Sequence, residues 1–386
     1  MTALICKKLA MGAVVNFAKS PKIANQCYNP PMERKLASIQ KILDIKPIEG
    51  ADTIVCATVL GWHVVTRKDE FKVGDLCVYF EVDSLLPVTE DFAFLAKGRV
   101  KKSYFGGKEY EGYRLRTIKL RGQVSQGLCL PMSILTGKKY PNDAREVPVY
   151  DYKEGLDVSA LLGVVKYEGA IPACLTGVVR GLFPSYIPKT DEIRLQAVPQ
   201  ILERHKAKRF YVTEKVDGTS MTVFLKDGEL HVCSRGLDLL ESDKNTYWQV
   251  VRALNLEEKL RTLAKPYALQ GEVVGDHIQN NRLKINGHTS FFFNIYDIEK
   301  GKFLAYTDFM STIKELDVPV VPLIDDNFTL LPTVDEMVVY ATRKSVIADT
   351  EVEGVVIRSI EETQDEDLGR LSFKVINPEF LLKYGE

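Results

Sequence analysis

The sequence contains no run of about 18 apolar residues, so a membrane-spanning helix is not expected. It has only seven cysteines (6, 27, 56, 77, 129, 174 and 233), and no two form a CxxC pair. That odd, scattered set excludes a disulfide scaffold and points to reduced thiols in the cytoplasm. Five dispersed histidines leave a structural zinc site without ligands at workable spacing. The N-terminus offers Ala3 to Cys6 before Lys7 and Lys8, too short for the apolar part of a secretion signal. A net charge of −1 excludes a chain whose overall field attracts polyanions. These absences leave an intracellular globular chain of 386 residues, enough for two domains.

Charge is local rather than global. Between Lys97 and Arg121 stand nine basic residues and two acids, with Tyr104, Phe105, Tyr110 and Tyr113 interleaved. Cations for phosphates mixed with aromatics for bases suit a nucleic-acid surface, and a solvated strand pair has the same pattern. Around this stretch the first half reads as short strands. They fall at Leu36–Asp44, in two runs of Thr53–Thr66 broken by Gly61, at Leu76–Val82, and as a pair at Tyr113–Leu120 and Gly127–Pro131. Gly, Pro and Asp turns between them predict a small OB-type β-barrel. The Lys-, Pro- and Asp-rich stretch Thr136–Asp157 marks the domain edge, with Gly177–Pro188 a further connection. The second half mixes strands with a helix over Thr246–Leu263. The expected division is 1–155 for the barrel with an N-terminal extension, 156–190 for a connecting segment, and 191–386 for an α+β domain of antiparallel sheets with flanking helices.

Glu214-Lys215-Val216-Asp217-Gly218-Thr219-Ser220 carries the chemistry. A lysine has a pKa of about 10.4 and attacks only when its surroundings strip its proton. A strand ending in Lys and followed by an Asp-Gly turn can hold that amine before a phosphate; alone, the pattern is equally a surface turn. Five further patterns follow in order. They are Ser234-Arg235-Gly236, Gln270-Gly271-Glu272-Val273 within an apolar strand, Phe291-Phe292-Phe293-Asn294 on an aromatic strand, Glu353-Gly354-Val355-Val356 and Ser372-Phe373-Lys374-Val375. Charges inside β-runs cost stability unless paired or used.

In this order the patterns resemble the motifs of the covalent nucleotidyltransferases, a superfamily of RNA ligases, DNA ligases and mRNA capping enzymes. Thr219-Ser220 after the Asp-Gly is similar to the RNA ligases. Gly61-Trp62, Asp83-Ser84-Leu85-Leu86-Pro87 and Leu115-Arg116-Thr117-Ile118-Lys119-Leu120-Arg121 resemble the leading OB domain of the nick-sealing RNA ligases of the Deinococcus and Naegleria type. Twelve residues follow Lys374, too few for the trailing OB domain of DNA ligases and capping enzymes, so a barrel is expected in front.

The resemblance implies an ATP-dependent RNA ligase that joins 3′-OH and 5′-phosphate ends by way of a lysyl-adenylate and an RNA-adenylate. Its implied partner is nicked duplex RNA, with no membrane and no obligate protein partner, and the chain is expected to be a monomer. Lys215 is implied as the residue that becomes covalently bound to AMP, with Asp217, Glu272 and Glu353 holding Mg²⁺ or Mn²⁺. Glu214, Arg194 and Arg235 would bind the nucleotide, Lys374 its α-phosphate, and Phe293 would stack on adenine unless Phe291 or Phe292 does. Other readings are a DNA ligase, a capping guanylyltransferase, or a non-catalytic RNA-binding protein.

Overall fold

The computed structural model describes residues 34–96, 99–105, 108–138, 152–167, 179–263 and 265–384. Lys97 of the basic stretch and the first 33 residues lie outside them. In the first domain, alternation writes the strands. Trp62–Arg67 buries Trp62, Val64 and Thr66 and turns the residues between them outward. It closes a five-stranded antiparallel sheet ordered Leu128–Pro131, Leu76–Phe80, Ala37–Pro47, Ile54–Val59, Trp62–Arg67. A four-stranded sheet ordered Val165–Lys166, Ser84–Pro87, Lys108–Arg114, Lys101–Phe105 completes the barrel.

Two expectations need correction here. Leu128–Pro131 pairs with Leu76–Phe80 and not with the Tyr113–Leu120 run. The end of that run, Ile118–Leu120, folds back instead on Gln123–Ser125. Arg121 and Gly122 both take positive φ, 49° and 82°, and this two-residue turn makes the nearer pairing the accessible one. Residues 156–167 are also no linker. Val158, Leu161, Leu162 and Val164 are buried in the barrel core with Leu36, Phe80 and Phe92, and Val165–Lys166 pairs with Ser84–Pro87. An apolar run of that density has to be covered, and the barrel floor covers it.

The second domain packs a seven-stranded sheet against a five-stranded one. The first is ordered Val179–Leu182, Leu237–Leu239, Glu229–Cys233, Thr219–Lys226, Tyr267–Gly275, His288–Asp297, Lys302–Phe303. The second is ordered Ile193–Arg194, Ser372–Ile376, Gly354–Ser359, Phe210–Glu214, Leu323–Phe328. Val179–Leu182 therefore belongs to the larger sheet rather than to a connection. Helices cover the outer face of that sheet, where Trp248, Val251, Leu260, Phe309 and Ile313 meet Met221, Leu269 and Phe292 in one core.

The helix expected over Thr246–Leu263 is two, Thr246–Ala253 and Leu256–Thr262. Asn255 between them takes φ 51°, a left-handed conformation that stops a helix. Helices Tyr306–Leu316 and Val334–Ala341 are additional to the expected elements, although Thr333 and Glu336 form a capping box on the second.

The two domains touch directly. The Gly61 N–H donates to the Gln196 carbonyl at 2.9 Å, and a Cβ on Gly61 would sit 3.0 Å from Gln196 Cα. Asp83, at the turn leading into Ser84–Pro87, accepts from Arg114 of its own domain and from Arg194 of the other, both at 2.8 Å. The fully buried Trp62 joins the barrel core to this seam, with the Arg194 guanidinium 5.9 Å from its ring. Trp62→Ala is expected to cost about 3–5 kcal/mol in the barrel. Hydrogen exchange should show faster exchange across residues 54–67, and unchanged protection there would contradict the packing described.

Candidate functional site

Lys215 stands where the chain leaves one sheet for the other. The strand Phe210–Glu214 belongs to the five-stranded sheet and Thr219–Lys226 to the seven-stranded one, so residues 215–218 bridge the cleft between them. The Lys215 N–H donates to the Gly354 carbonyl at 2.9 Å, which fixes the start of the bridge. Gly218 fixes its end: a Cβ there would lie 2.3 Å from the Val273 carbonyl and 2.9 Å from Glu272 Cγ. Only glycine lets the turn press this close to the strand that carries Glu272.

The Lys215 ammonium donates to Glu353 Oε2 at 2.5 Å. Burial acts to lower its pKa, but Glu353, Glu272 and Asp217 outweigh burial and raise it. The amine is therefore held protonated. Glu272, opposite Ser220 in the neighbouring strand, experiences the reverse. Burial pushes its carboxyl up to about 8, with Lys215 opposing and Glu353 and Asp217 adding to the rise. Asp217 is paired with Arg282 at 2.5 Å, and the Arg282 guanidinium stacks 4.3 Å from the ring of Tyr384 in the terminal helix Pro378–Tyr384.

Three carboxyl groups beside one amine supply hard oxygen donors, and an entering cation would draw the proton from Glu272, which fits a divalent ion such as Mg²⁺ or Mn²⁺. Among the described residues, no three His, Cys, Asp or Glu side chains form a ready ligand cluster. The fit is therefore to an ion that keeps much of its own water.

In a second cluster the signs reverse. Asp191 receives Lys166 at 2.5 Å, Arg235 at 2.9 Å and Lys374 at 3.5 Å. Burial would raise its pKa, but Lys374, Arg235 and Lys166 together hold it well below the ordinary carboxylate range. Lys374 lies beside Arg194, their strands pairing in parallel. Burial brings the Lys374 amine down to about 8; Asp191 opposes this, and Lys215 and Arg194 add to it. Arg194 has two buried nitrogens, Nε and Nη1, without a hydrogen-bond partner among the described residues. A set of cations converging on one carboxylate, with spare N–H donors beside it, can receive phosphate oxygens.

The expected residues thus form two clusters that each draw on both sheets: Lys215 with Asp217, Glu272 and Glu353, and Arg235 and Lys374 about Asp191 with Arg194 beside Lys374. Glu214 does not face the cleft in the same manner. It is buried and accepts from Ser345 Oγ at 2.5 Å and the Val346 N–H at 3.0 Å, so it pins a neighbouring loop. Of the three phenylalanines, Phe292 is fully buried in the helix-covered core and is removed as a candidate for stacking. Phe291 and Phe293 lie together on the other face, beside Val216 and Val274. Phe293 is the extra residue where the register shifts between Gln270 and Gly271. Asp191, Lys166 and Asp83 are site residues that the sequence does not single out. Asp191 stands three residues before Arg194, and Asp83 inside a motif of the barrel, but nothing local shows that two domains bring them to one place.

The chain matches the OB-fold domain family over residues 36–132 and the RNA ligase family over residues 208–376. It is similar to solved structures of Naegleria gruberi RNA ligase. A glutamate-to-alanine mutant of that enzyme with AMP and Mn is 36% identical, with a TM-score of 0.78 over 90% of this chain and 98% of that one. A second glutamate-to-alanine mutant, with ATP and Mn, is 37% identical at a TM-score of 0.78, covering 92% and 100%. An aspartate-to-alanine mutant without ligand is 37% identical at 0.78, covering 90% and 97%. No curated protein matches. No helix among the described residues is long and apolar enough to cross a membrane.

The electrostatics of Glu272 set a stability test. With its folded pKa near 8 and an ordinary value of 4.5, the folded state holds a proton that the unfolded state has released. Stability tied to this group is complete below pH 4.5 and declines as pH rises toward 8. In metal-free buffer, Glu272→Gln should melt higher than the parent at pH 8 and alike at pH 4.5, measured by thermal denaturation; a gap independent of pH would contradict the assignment.

Proposed function

The chain belongs to the RNA ligase family, and we propose that it seals nicks in duplex RNA between a 3′-OH and a 5′-phosphate, using ATP and a lysyl-AMP intermediate. The single observation that carries this reading is Lys215 at the seam of the two sheets, with the carboxyl groups of Asp217, Glu272 and Glu353 about it and the cationic cluster of Lys374 and Arg235 beside it. The solved Naegleria structures with ATP or AMP and Mn support the choice of nucleotide and metal.

The Lys215 amine gives up its proton and attacks the α-phosphorus of ATP; the bond to the β-phosphate oxygen breaks and pyrophosphate leaves. Arg194, Arg235 and Lys374 hold the phosphate oxygens, and their charges offset what gathers there in the transition state. Phe293, or Phe291 beside it, supplies an apolar face for adenine. A divalent cation bound near Asp217, Glu272 and Glu353 would neutralise the carboxylates that keep Lys215 protonated and so lower its pKa. In the second step the RNA 5′-phosphate attacks the same phosphorus and Lys215 leaves as the amine. In the third, the 3′-OH attacks the 5′-phosphate and AMP departs.

We place the boundary between the domains within 168–178, residues that lie outside the described ones. The barrel then does more than grip RNA at a distance. Lys166 and Asp83 reach the nucleotide side of the cleft through Asp191 and Arg194, so removing the barrel should disturb adenylation itself.

The test is incubation with α-labelled ATP. Lys215→Ala should abolish covalent label that survives denaturing electrophoresis, while its circular dichroism remains that of the folded parent. Label persisting on that variant, or label taken up from GTP alone by the parent, would overturn the proposal.

A further inference from the structure

One surface element is explained neither by the barrel core nor by the cleft. The hairpin of Ile118–Leu120 and Gln123–Ser125 exposes two aliphatic side chains, Ile118 at 47% and Leu120 at 38%. They stand two residues apart and so share one face. Cations surround them: Arg116, Lys119 and Arg121 occur between residues 116 and 125 with no acidic residue.

Arg121 itself occupies the first turn position at φ 49°, where Asn, Asp or Gly is the favoured choice. A long cationic side chain held in a left-handed conformation at a loop tip is a local cost that folding does not require. The hairpin is nevertheless anchored at both ends of its reach. Ser125 Oγ accepts from the Val65 N–H at 2.9 Å, and the Gln126 N–H donates to the His63 carbonyl at 2.8 Å. Lys119 meets Glu379 at 3.5 Å, on the terminal helix whose Tyr384 stacks under Arg282, the partner of Asp217. The element thus spans from the barrel to within a short chain of contacts of the nucleophile's motif.

We infer that this hairpin reads the RNA duplex beside the nick by lying in its shallow minor groove, with Ile118 and Leu120 against ribose faces and Arg121 on a phosphate. This rests on the sealing reading above and names the feature of the substrate that is recognised. The A-form minor groove is wide and shallow and lined by riboses and 2′-hydroxyls. That of B-form DNA is about 6 Å wide, too narrow for two strands about 4.8 Å apart with their side chains. A basic hairpin with an apolar pair fits the first and is excluded from the second, so it favours RNA over DNA by shape. A polyanion is the partner this element suits, because residues 116–125 carry cations and no acid of their own.

The experiment uses the full chain with Arg121→Gly and with the double substitution Ile118→Ser, Leu120→Ser. Glycine suits the turn better than arginine, so the first variant should melt no lower than the parent. Self-adenylation with labelled ATP needs no RNA and should stay within about twofold for both. Binding of a fluorescent nicked RNA duplex, read by anisotropy, should weaken about tenfold, and Arg121→Gly should reduce the salt slope by about one. An all-DNA nicked duplex should bind the parent and both variants alike. Unchanged RNA affinity in both variants overturns the inference, as does an equal loss for RNA and DNA. Failure of the parent to take label from ATP would instead overturn the ligase reading, and the anisotropy result would still decide the hairpin.

Discussion

The structure depends on a single half-buried ammonium held among carboxyl groups at the junction of two sheets. Residues 215–218 carry the chain from a strand of the smaller sheet to a strand of the larger one, and the ion pair of Lys215 with Glu353 ties the start of that bridge to the smaller sheet a second time. Buried charge is tolerated only when answered. Here the answer comes first from Glu353, with Glu272 and Asp217 adding to it, while Asp217 is itself paired with Arg282. The acids that position the lysine also keep its proton in place.

The second constraint is the contact between the domains. Asp83 takes one hydrogen bond from its own barrel and one from Arg194, and Arg194 and Arg114 outweigh its burial to hold it at about 2. At every pH near neutrality it is therefore an anion between two guanidinium groups. The barrel thereby fixes the direction of Arg194, whose Nε and Nη1 have no partner of their own among the described residues. Positioning of this arginine is thus distributed over two domains and a single shared carboxylate.

Much of this was legible in the chain. The OB-type barrel in front and the α+β domain behind followed from the spacing of strands, and the order of the motifs carried the family. Residues whose chemistry is local to a motif, such as Lys215, Glu272 and Lys374, could be named because a charge inside or at the end of an apolar strand is conspicuous. What escaped depended on distance in the sequence. Nothing around Asp191 states that Lys166, Arg235 and Lys374 will close on it, since each arrives from a different element. Within the Phe291 to Phe293 run, residue type did not show which face is which; the structure turns Phe292 into the helix-covered core and leaves Phe291 and Phe293 together on the other face. The split at Asn255 and the inclusion of residues 156–167 in the barrel had the same origin, a choice settled by packing after local propensity had allowed either outcome.

Asp191 gives the cleft a property of its own. Its carboxylate already neutralises cations that would otherwise await an incoming anion, so a polyphosphate entering there exchanges one counter-charge for another. Recognition by exchange depends on the difference between two anions, not on the full strength of either. An anion with several charges in a row meets that requirement better than one with a single charge, because the tethered carboxylate already answers the first.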